Sequence, residues 1–402
     1  MLSNLNVALH SLAVFHQLKQ DAVLCALSKF LDMPLTVGVG ERVTAYTDFV
    51  AKLYASGIEN LSQYISRAVN NDENVYIRTV GKGETPSPLL CRAVEGELAV
   101  LSRIAALTEE DLRAMLDYDG YLPPFESDGE NCRLAEIYRH RTENIGKYGY
   151  GIYADYHMFY LSDVGQIIPV QNPDPIRLSD LIDYKREQQI ILDNTHALLS
   201  GKPAANMLLT GDAGTGKSST VKAVVNELYS EGLRILEIRK EQLHKIPAIL
   251  DELTINPLKF ILFIDDLSFQ KDDDNYSALK AILEGSVSAK SQNVVVYATS
   301  NRRHLVKEKH SDRDGDEVHR NDTMQEIVSL SERFGLRITF NRPDKATYLD
   351  IVHHLADAAG IAYTPERIDI SAERYALSRG TRSARAAKQF VDTILAGTEN
   401  DY

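Results

Sequence analysis

Gly211-Asp212-Ala213-Gly214-Thr215-Gly216-Lys217-Ser218 is the stretch on which the reading of this chain turns. It fits G-x-x-x-x-G-K-[ST], a loop whose glycines let the backbone curl until consecutive N–H groups point inward at phosphate oxygens. The flanks have the form such a loop requires. Asn206 to Thr210 reads as a short buried strand. Ser219 to Tyr229 reads as a helix, with Val221, Val224, Val225 and Leu228 at helical spacing. In that setting Lys217 reaches the β- and γ-phosphates of a nucleotide, and the Ser218 hydroxyl holds Mg2+. Residues Gly211 through Ser219 form the candidate phosphate-binding set.

Working outward, the pattern from about residue 185 onward alternates short apolar strands with helices. Strands are expected at Met207–Leu209, Arg234–Ile238, Phe260–Ile264, Val294–Ala298 and Leu336–Phe340, with a helix over Lys185 to Leu199. This alternation predicts an α/β fold, a parallel sheet sandwiched between helices in three layers. After Pro343 the chain is helical again, closing with a helix over Ser383 to Leu395. Residues 1 to about 115 read as helices, with an apolar stripe from Leu12 to Leu31 that Pro34 and Gly38-Val39-Gly40 interrupt. Pro169 to Pro175 ends this N-terminal region. The expected division is therefore a mainly helical domain over 1–165, a nucleotide-binding core over 166–342 and a small helical lid over 343–402.

Composition excludes several classes. The 402 residues are 44% hydrophobic and 25% charged, with a formal net charge of −13. That balance suits a globular chain of two or three domains and argues against a broad basic surface for nucleic acid. Cys25, Cys91 and Cys132 are odd in number and far apart, so neither a disulfide framework nor a zinc site is expected. No secretory signal and no membrane span are read, which points to the cytoplasm. Eight of the 20 tyrosines fall between Tyr118 and Tyr160, as an aromatic mini-core or a recognition face. Residues 306–326 form a hydrophilic insert, either a solvated loop or a partner-contact loop. Its Gly315 is not at the position that a calcium loop needs, and no glutamate falls at the closing position counted from Asp312.

Two further strand ends carry chemistry. Phe260-Ile261-Leu262-Phe263-Ile264-Asp265-Asp266 is an apolar strand ending in two carboxylates, about 50 residues after the phosphate loop. Asp265 suits the Mg2+ shell, and Asp266 is placed to orient and polarise an attacking water. The competing reading is a pair of helix-capping carboxylates. Val294 to Ala298 is a second buried strand, ending in Thr299-Ser300-Asn301-Arg302-Arg303.

With these residues the chain resembles an AAA+ ATPase. The resemblance implies that Asn301, or failing it Thr299, contacts the γ-phosphate or the attacking water. It implies that Arg333, within Ser331-Glu332-Arg333-Phe334-Gly335, is a finger reaching the nucleotide of a neighbouring subunit. It also implies that Arg385, with Arg382 as the alternative, is the lid's sensor arginine, and that Tyr184 or Ile182 packs near the adenine. Together with the run Ile176 to Tyr184, Asp265-Asp266-Leu267-Ser268-Phe269, Leu283-Glu284-Gly285 and Asn301-Arg302-Arg303-His304-Leu305, these segments are similar to the bacterial DUF815 family of AAA+ ATPases over roughly residues 150 to 395. One departure from the wider pattern stands out: the water-activating position, usually Glu, is Asp266.

The resemblance implies a homo-oligomeric ATPase that binds ATP/ADP and uses ATP and Mg2+ to remodel or load an unknown client, with Lys217, Asp265, Asp266, Asn301 and Arg333 as its catalytic set. Two alternatives stay open. ATP would act only as a switch for a binding module, or Arg302, Arg303 and Lys307 would give a basic cluster for a nucleic-acid-associated loader.

Overall fold

The computed structural model describes residues 2–34, 36–267, 279–280, 282–283, 292–301 and 332–397. The expected insert 306–326, the pairs Ser268-Phe269 and Glu284-Gly285, the run Arg302 to Leu305, Lys307 and Ser331 lie outside the described residues. The chain divides into two compact units. One comprises residues up to Asp155 together with Asn256–Leu258, and the other Tyr156–Ile255 together with the chain from Lys259.

The first unit is helical, as the N-terminal sequence predicts. Its helices are α1 (Leu2–His10), α2 (Ala22–Leu31), α3 (Val39–Ala55), α4 (Leu61–Asn71), α5 (Val75–Gly81), α6 (Pro88–Ala105), α7 (Glu109–Arg113), α8 (Leu134–Glu143), α9 (Ile145–Tyr148) and α10 (Ile152–Asp155). The apolar stripe from Leu12 to Leu31 is buried but is not one helix. Its α-helical part follows Asp21, whose carboxylate accepts from Val23 N and Leu24 N at 3.0 and 2.9 Å and so caps α2. In the turn that precedes a short 3-10 helix (His16–Gln20), the Glu97 carboxylate of α6 accepts from the backbone N–H groups of Ala13, Val14 and Phe15 at 2.8–3.0 Å. A side chain there supplies the acceptors that a helix would otherwise give.

The second unit is built on a seven-stranded sheet. Its strands are β1 (Met158–Leu161), β2 (Ile167–Pro169), β3 (Met207–Gly211), β4 (Leu233–Glu237), β5 (Lys259–Ile264), β6 (Val294–Ser300) and β7 (Leu336–Phe340). Their order is β2-β1-β4-β5-β6-β3-β7. Every neighbouring pair is parallel except β1 with β2. The five strands expected from sequence are present. Those in mid-sheet are continuous apolar runs because both faces are covered: every residue of β3 is buried, and all of β5 after Lys259.

The β1–β2 hairpin was not foreseen. Its strands have four and three residues, too short for a periodic signal, and Tyr160 is exposed. The eight clustered tyrosines form neither a single core nor a single face. Tyr138, Tyr150 and Tyr153 are buried in the first unit, Tyr118 and Tyr121 are exposed there, and Tyr156 and Tyr160 belong to the second.

Helices complete the layers: α11 (Lys185–Leu199), α12 (Lys217–Leu228) and α13 (Ile246–Thr254), then the C-terminal trio α14 (Lys345–Ala358), α15 (Pro365–Arg379) and α16 (Ala384–Leu395). The trio has its own core, in which Tyr348, Val352, Ala372, Tyr375, Ala387 and Phe390 are buried together. Ser383 caps α16 by accepting from Ala386 N. This is a layered α/β architecture, a mostly parallel sheet covered by helices, with a helical N-terminal region and a C-terminal helical lid. Among the described residues, no helix is long and apolar enough to cross a membrane.

The sheet is fastened to α11 through one buried ring. Tyr297 of β6 is fully buried, and its hydroxyl lies 2.9 Å from Thr195 Oγ1 and accepts from Asn194 Nδ2 at 3.0 Å. Both partners have a second bond, to Ile191 O and Ala205 O. Tyr297→Phe is therefore expected to cost only about 1 kcal/mol. Tyr297→Ala, which leaves a ring-sized cavity, is expected to cost about 3–5 kcal/mol. Denaturant unfolding of the two variants checks both values, and near-equal losses would mean that the hydroxyl rather than the ring carries the contact.

Candidate functional site

The phosphate loop starts where β3 is pressed against β7. At Gly211 the backbone has φ +143°, and a Cβ there would lie 2.1 Å from the Phe340 carbonyl oxygen, so only glycine fits. The chain then turns through residues 212–216. Thr215, almost wholly buried, donates its hydroxyl to Asp212 O at 2.9 Å and closes the turn from inside. Gly216, with φ +90°, caps α12 in the left-handed conformation and has open space where a Cβ would stand. The loop thus presents N–H groups and a helix N-terminus to one side, the standard means of holding phosphate.

Sheet order brings the polar strand ends to this loop. Strand β6 lies between β3 and β5, with Thr210 level with Ser300 and Ile264 level with Ala298. The residues following these strands meet at one edge. Ser218 Oγ donates to Asp265 Oδ1 at 2.6 Å, and Thr299 Oγ1 donates to the same oxygen at 2.5 Å. Asp266 N donates to Thr299 Oγ1 at 2.9 Å, and Asn301 Nδ2 donates to Asp266 Oδ1 at 2.7 Å. Lys217 Nζ donates to Asn301 Oδ1 at 3.0 Å and to the carbonyls of Gly211 and Asp212 at 2.9 and 2.8 Å. One network therefore joins Lys217, Ser218, Asp265, Asp266, Thr299 and Asn301. Of the two candidates for contact with the γ-phosphate or attacking water, Asn301 bridges Lys217 and Asp266, while Thr299 bonds both aspartates.

Two features of the network depart from ordinary surface chemistry. Burial holds the Lys217 ammonium below the usual lysine range, against the opposing pull of Asp265, Asp212 and Asp266. Asp266 has φ +51°, which is uncommon for a non-glycine residue. Its backbone is kept there by the two bonds from its N–H to Thr299 Oγ1 and Asp265 Oδ1 and by the neighbouring bond from Leu267 N to Thr299 O.

The loop and the acidic edge form one side of a cavity of about 660 Å3. Ala213 through Ser219, Asp265, Asp266, Asn301 and Arg385 all line it. Gly211 and Asp212 support it from behind, Asp212 through an ion pair with Arg342 at 3.2 Å. A second wall is the segment 174–184, which contains Ile182 and Tyr184, both facing the cavity. This segment is tied down by side chains that carry no motif. Asn226 Nδ2 donates to Asp174 O and Ile176 O at 2.8 Å, Glu227 Oε1 accepts from Leu178 N, and Gln188 Nε2 donates to Leu181 O and Asp183 O. Tyr184 stands at φ +67°, its ring 4.8 Å from Phe340 and its hydroxyl bonded to Asn341 O. The third wall is the lid, through Ile351, Leu355, Arg385 and Lys388.

The lid separates the two arginine candidates. Arg385 faces the cavity, and its backbone N–H donates to Gly214 O at 3.3 Å. Arg382 forms a two-pronged pair with Glu373 of α15, both bonds at 2.9 Å. Arg333, in a helical turn just before β7, is partly exposed and is not part of this cavity's wall. Sequence reasoning missed Asn226, Glu227, Gln188, Arg342 and Lys388. Their roles depend on which backbone carbonyl or carboxylate the fold brings near, and no local pattern marks that.

A family model described as "Protein of unknown function (DUF815)" matches residues 154–398. Among solved structures, 55% of this chain is similar to 65% of the Thermotoga maritima RuvB Holliday junction branch migration motor, at 16% identity and a TM-score of 0.37. The P216G mutant of the same protein gives 17% identity and a TM-score of 0.40. A chain of the E. coli MS115-1 HORMA:CdnC:Trip13 complex is similar at 13% identity and a TM-score of 0.38, with 93% of that chain covered. The chain thus spans just under two thirds of the length of the first of these structures. No curated protein matches it.

The loop geometry sets an order for glycine substitutions. Gly216→Ala meets only the left-handed backbone penalty, about 1–2 kcal/mol. Gly211→Ala adds a clash with the Phe340 carbonyl and is expected to cost about 3 kcal/mol or more. Thermal and denaturant unfolding of the ligand-free variants tests this, and equal losses would contradict the close approach of β3 and β7.

Proposed function

The chain belongs to the DUF815 family, and on that premise we propose that it binds ATP with Mg2+ in this cavity and hydrolyses it to drive work on a partner. The observation that carries the reading is the single hydrogen-bonded network of Lys217, Ser218, Asp265, Asp266 and Asn301 at the mouth of the phosphate loop. Each member has a role that elementary chemistry supports. The loop N–H groups from Ala213 to Ser219 hold the phosphates. Lys217 exchanges its bonds to Gly211 O, Asp212 O and Asn301 Oδ1 for bonds to the β- and γ-phosphates.

The residues present suit Mg2+. The Ser218 hydroxyl and the Asp265 carboxylate are hard oxygen donors 2.6 Å apart, and Mg2+ takes few protein oxygens beside water and phosphate. When bound, the ion supplies neutralisation of charge on the phosphate oxygens. Asp266 accepts the proton of the attacking water through the carboxylate oxygen that Asn301 leaves unbound. Asn301 positions Asp266 and the γ-phosphate together. Arg385 closes the cavity from the lid, and the apolar side chains of Ile182, Ile351 and Leu355 receive the adenine beside Tyr184.

Arg333 stands outside the cavity wall of its own chain. That supports a role in trans, as a finger contributed to the site of a neighbouring copy in a homo-oligomer. The proposed division of labour gives catalysis to residues 166–342, nucleotide-dependent closure to the lid 343–402, and contact with a client protein to the helical residues 1–165.

The test is ATP turnover per protomer across a wide range of protein concentration. Lys217→Ala is expected to abolish nucleotide binding. Asp266→Asn is expected to keep binding and to lower turnover roughly 10²–10³-fold. Arg333→Ala is expected to lower it about 10³-fold with ATP affinity unchanged. A rate per protomer that stays flat with concentration would remove the finger in trans. ATP binding with turnover no higher than the Lys217→Ala blank would replace the motor reading with that of a nucleotide switch.

A further inference from the structure

A second cavity, of about 320 Å3, lies within the helical first unit and has no part in the nucleotide site. It is at the small end of the range for ligand pockets, roughly 300–1,000 Å3. One wall is the polar face of α4, where Ser66, Arg67, Asn70 and Asn71 follow at helical spacing opposite the buried Leu61, Ile65 and Val69. The facing wall is Arg133 with Ile137 and Arg141 of α8, and Asp155 closes one end.

The charges of this cavity are unevenly spent. Arg67 is committed to Asp155 at 2.8 Å, and Asn71 donates to the same carboxylate oxygen at 2.6 Å. Asp128 accepts from Asn60 Nδ2 at 2.9 Å. Among the described residues, no carboxylate oxygen lies within 4.0 Å of Arg133 or Arg141, although Asp155 attracts Arg141 from farther off. Arg141 lies against the ring of Tyr148 at 4.9 Å, and its buried Nε lacks an acceptor. Burial also lowers its proton affinity. On the opposite wall the buried Asn70 Oδ1 lacks a donor. A buried donor and a buried acceptor without partners in one cavity are unusual, since such groups are nearly always satisfied. Three arginines against two aspartates leave one net positive charge, which matches a monoanion better than a dianionic phosphate.

We propose that this cavity is a recognition site for a carboxylate carrying an adjacent amide N–H, with Arg133 and Arg141 taking the carboxylate and Asn70 accepting from the amide. Such a group is the free C-terminus of a polypeptide or an acidic residue within one. The planar guanidinium fork suits a carboxylate bidentately, and Ser66, which accepts from Asn70 Nδ2 at 3.4 Å, keeps its own hydroxyl proton to donate. The inference is independent of the ATPase reading, because none of its residues belongs to the nucleotide cavity.

The experiment follows the arginine Nε–H resonances of the full chain by NMR, with Arg141 assigned from its loss in Arg141→Lys. N-acetylglycine represents a chain end, N-acetylglutamate α-amide an internal acidic residue, and N-acetylglycine amide the same scaffold without the charge. Inorganic phosphate is the competing anion. Saturable movement of the Arg141 signal with either acid, and not with the uncharged amide, is expected. Whichever acid saturates at lower concentration identifies the source. Arg133→Gln, at an exposed position, is expected to raise that concentration roughly five- to tenfold without lowering the unfolding temperature. The absence of a saturable shift, an equal response to the uncharged amide, or tighter binding of phosphate would each overturn the assignment.

Discussion

The ladder β3-β6-β5 is the constraint on which the cavity beside the phosphate loop depends. Three parallel strands, hydrogen-bonded in register, end together, and their ends carry the phosphate loop, Asn301 and the two aspartates. Parallel strands place their C-terminal ends on one side of the sheet, and side chains following them converge there without any loop having to reach across. If β6 lay at the sheet edge, Asn301 would not stand between Lys217 and Asp266. The hydroxyl of the buried Tyr297, bonded to Asn194 and Thr195, ties β6 to α11.

Around that ladder the charges are arranged as mutual stand-ins. Lys217 sits among loop carbonyls and beside Asn301, while Ser218 and Thr299 both donate to Asp265. Each of these bonds involves a group that phosphate or a divalent cation also satisfies, so the proposed binding of ATP and Mg2+ would exchange partners without exposing new buried polar atoms. The positive φ of Asp266 fits the same account. A strained backbone persists only where its surroundings over-determine it, and here Thr299 and Asp265 both hold its N–H.

The remaining walls come from segments distant in sequence. The strap 174–184 is sewn to α11 and α12 by Gln188, Asn226 and Glu227. The lid touches the loop through Arg385, and its core includes Ile182 from the strap. The C-terminal trio thus contacts both the phosphate loop and the strap. The helical first unit carries a different chemistry, with a polar cavity in which two arginines keep unspent charge.

Sequence alone determined what depends on local order. The G-x-x-x-x-G-K-S loop, the apolar strand ending in Asp265-Asp266 and the polar end of β6 are contiguous patterns, and alternation of strands and helices after Lys185 implied a parallel sheet because such strands need crossover helices. The short β1–β2 hairpin escaped because three or four residues hold no period, and the stripe from Leu12 to Leu31 looked continuous because burial, not helix, is what apolar spacing reports. The tertiary structure decided what depends on contact across the chain. It determined that Arg385 faces the cavity while Arg382 is engaged by Glu373, that Thr299 serves the aspartates while Asn301 meets Lys217, and that Asn226, Glu227 and Gln188 tie down the strap. The physical reason is the same in each case. A hydrogen bond or ion pair depends on the distance and direction between two groups, and for residues tens of positions apart only the packed fold sets these.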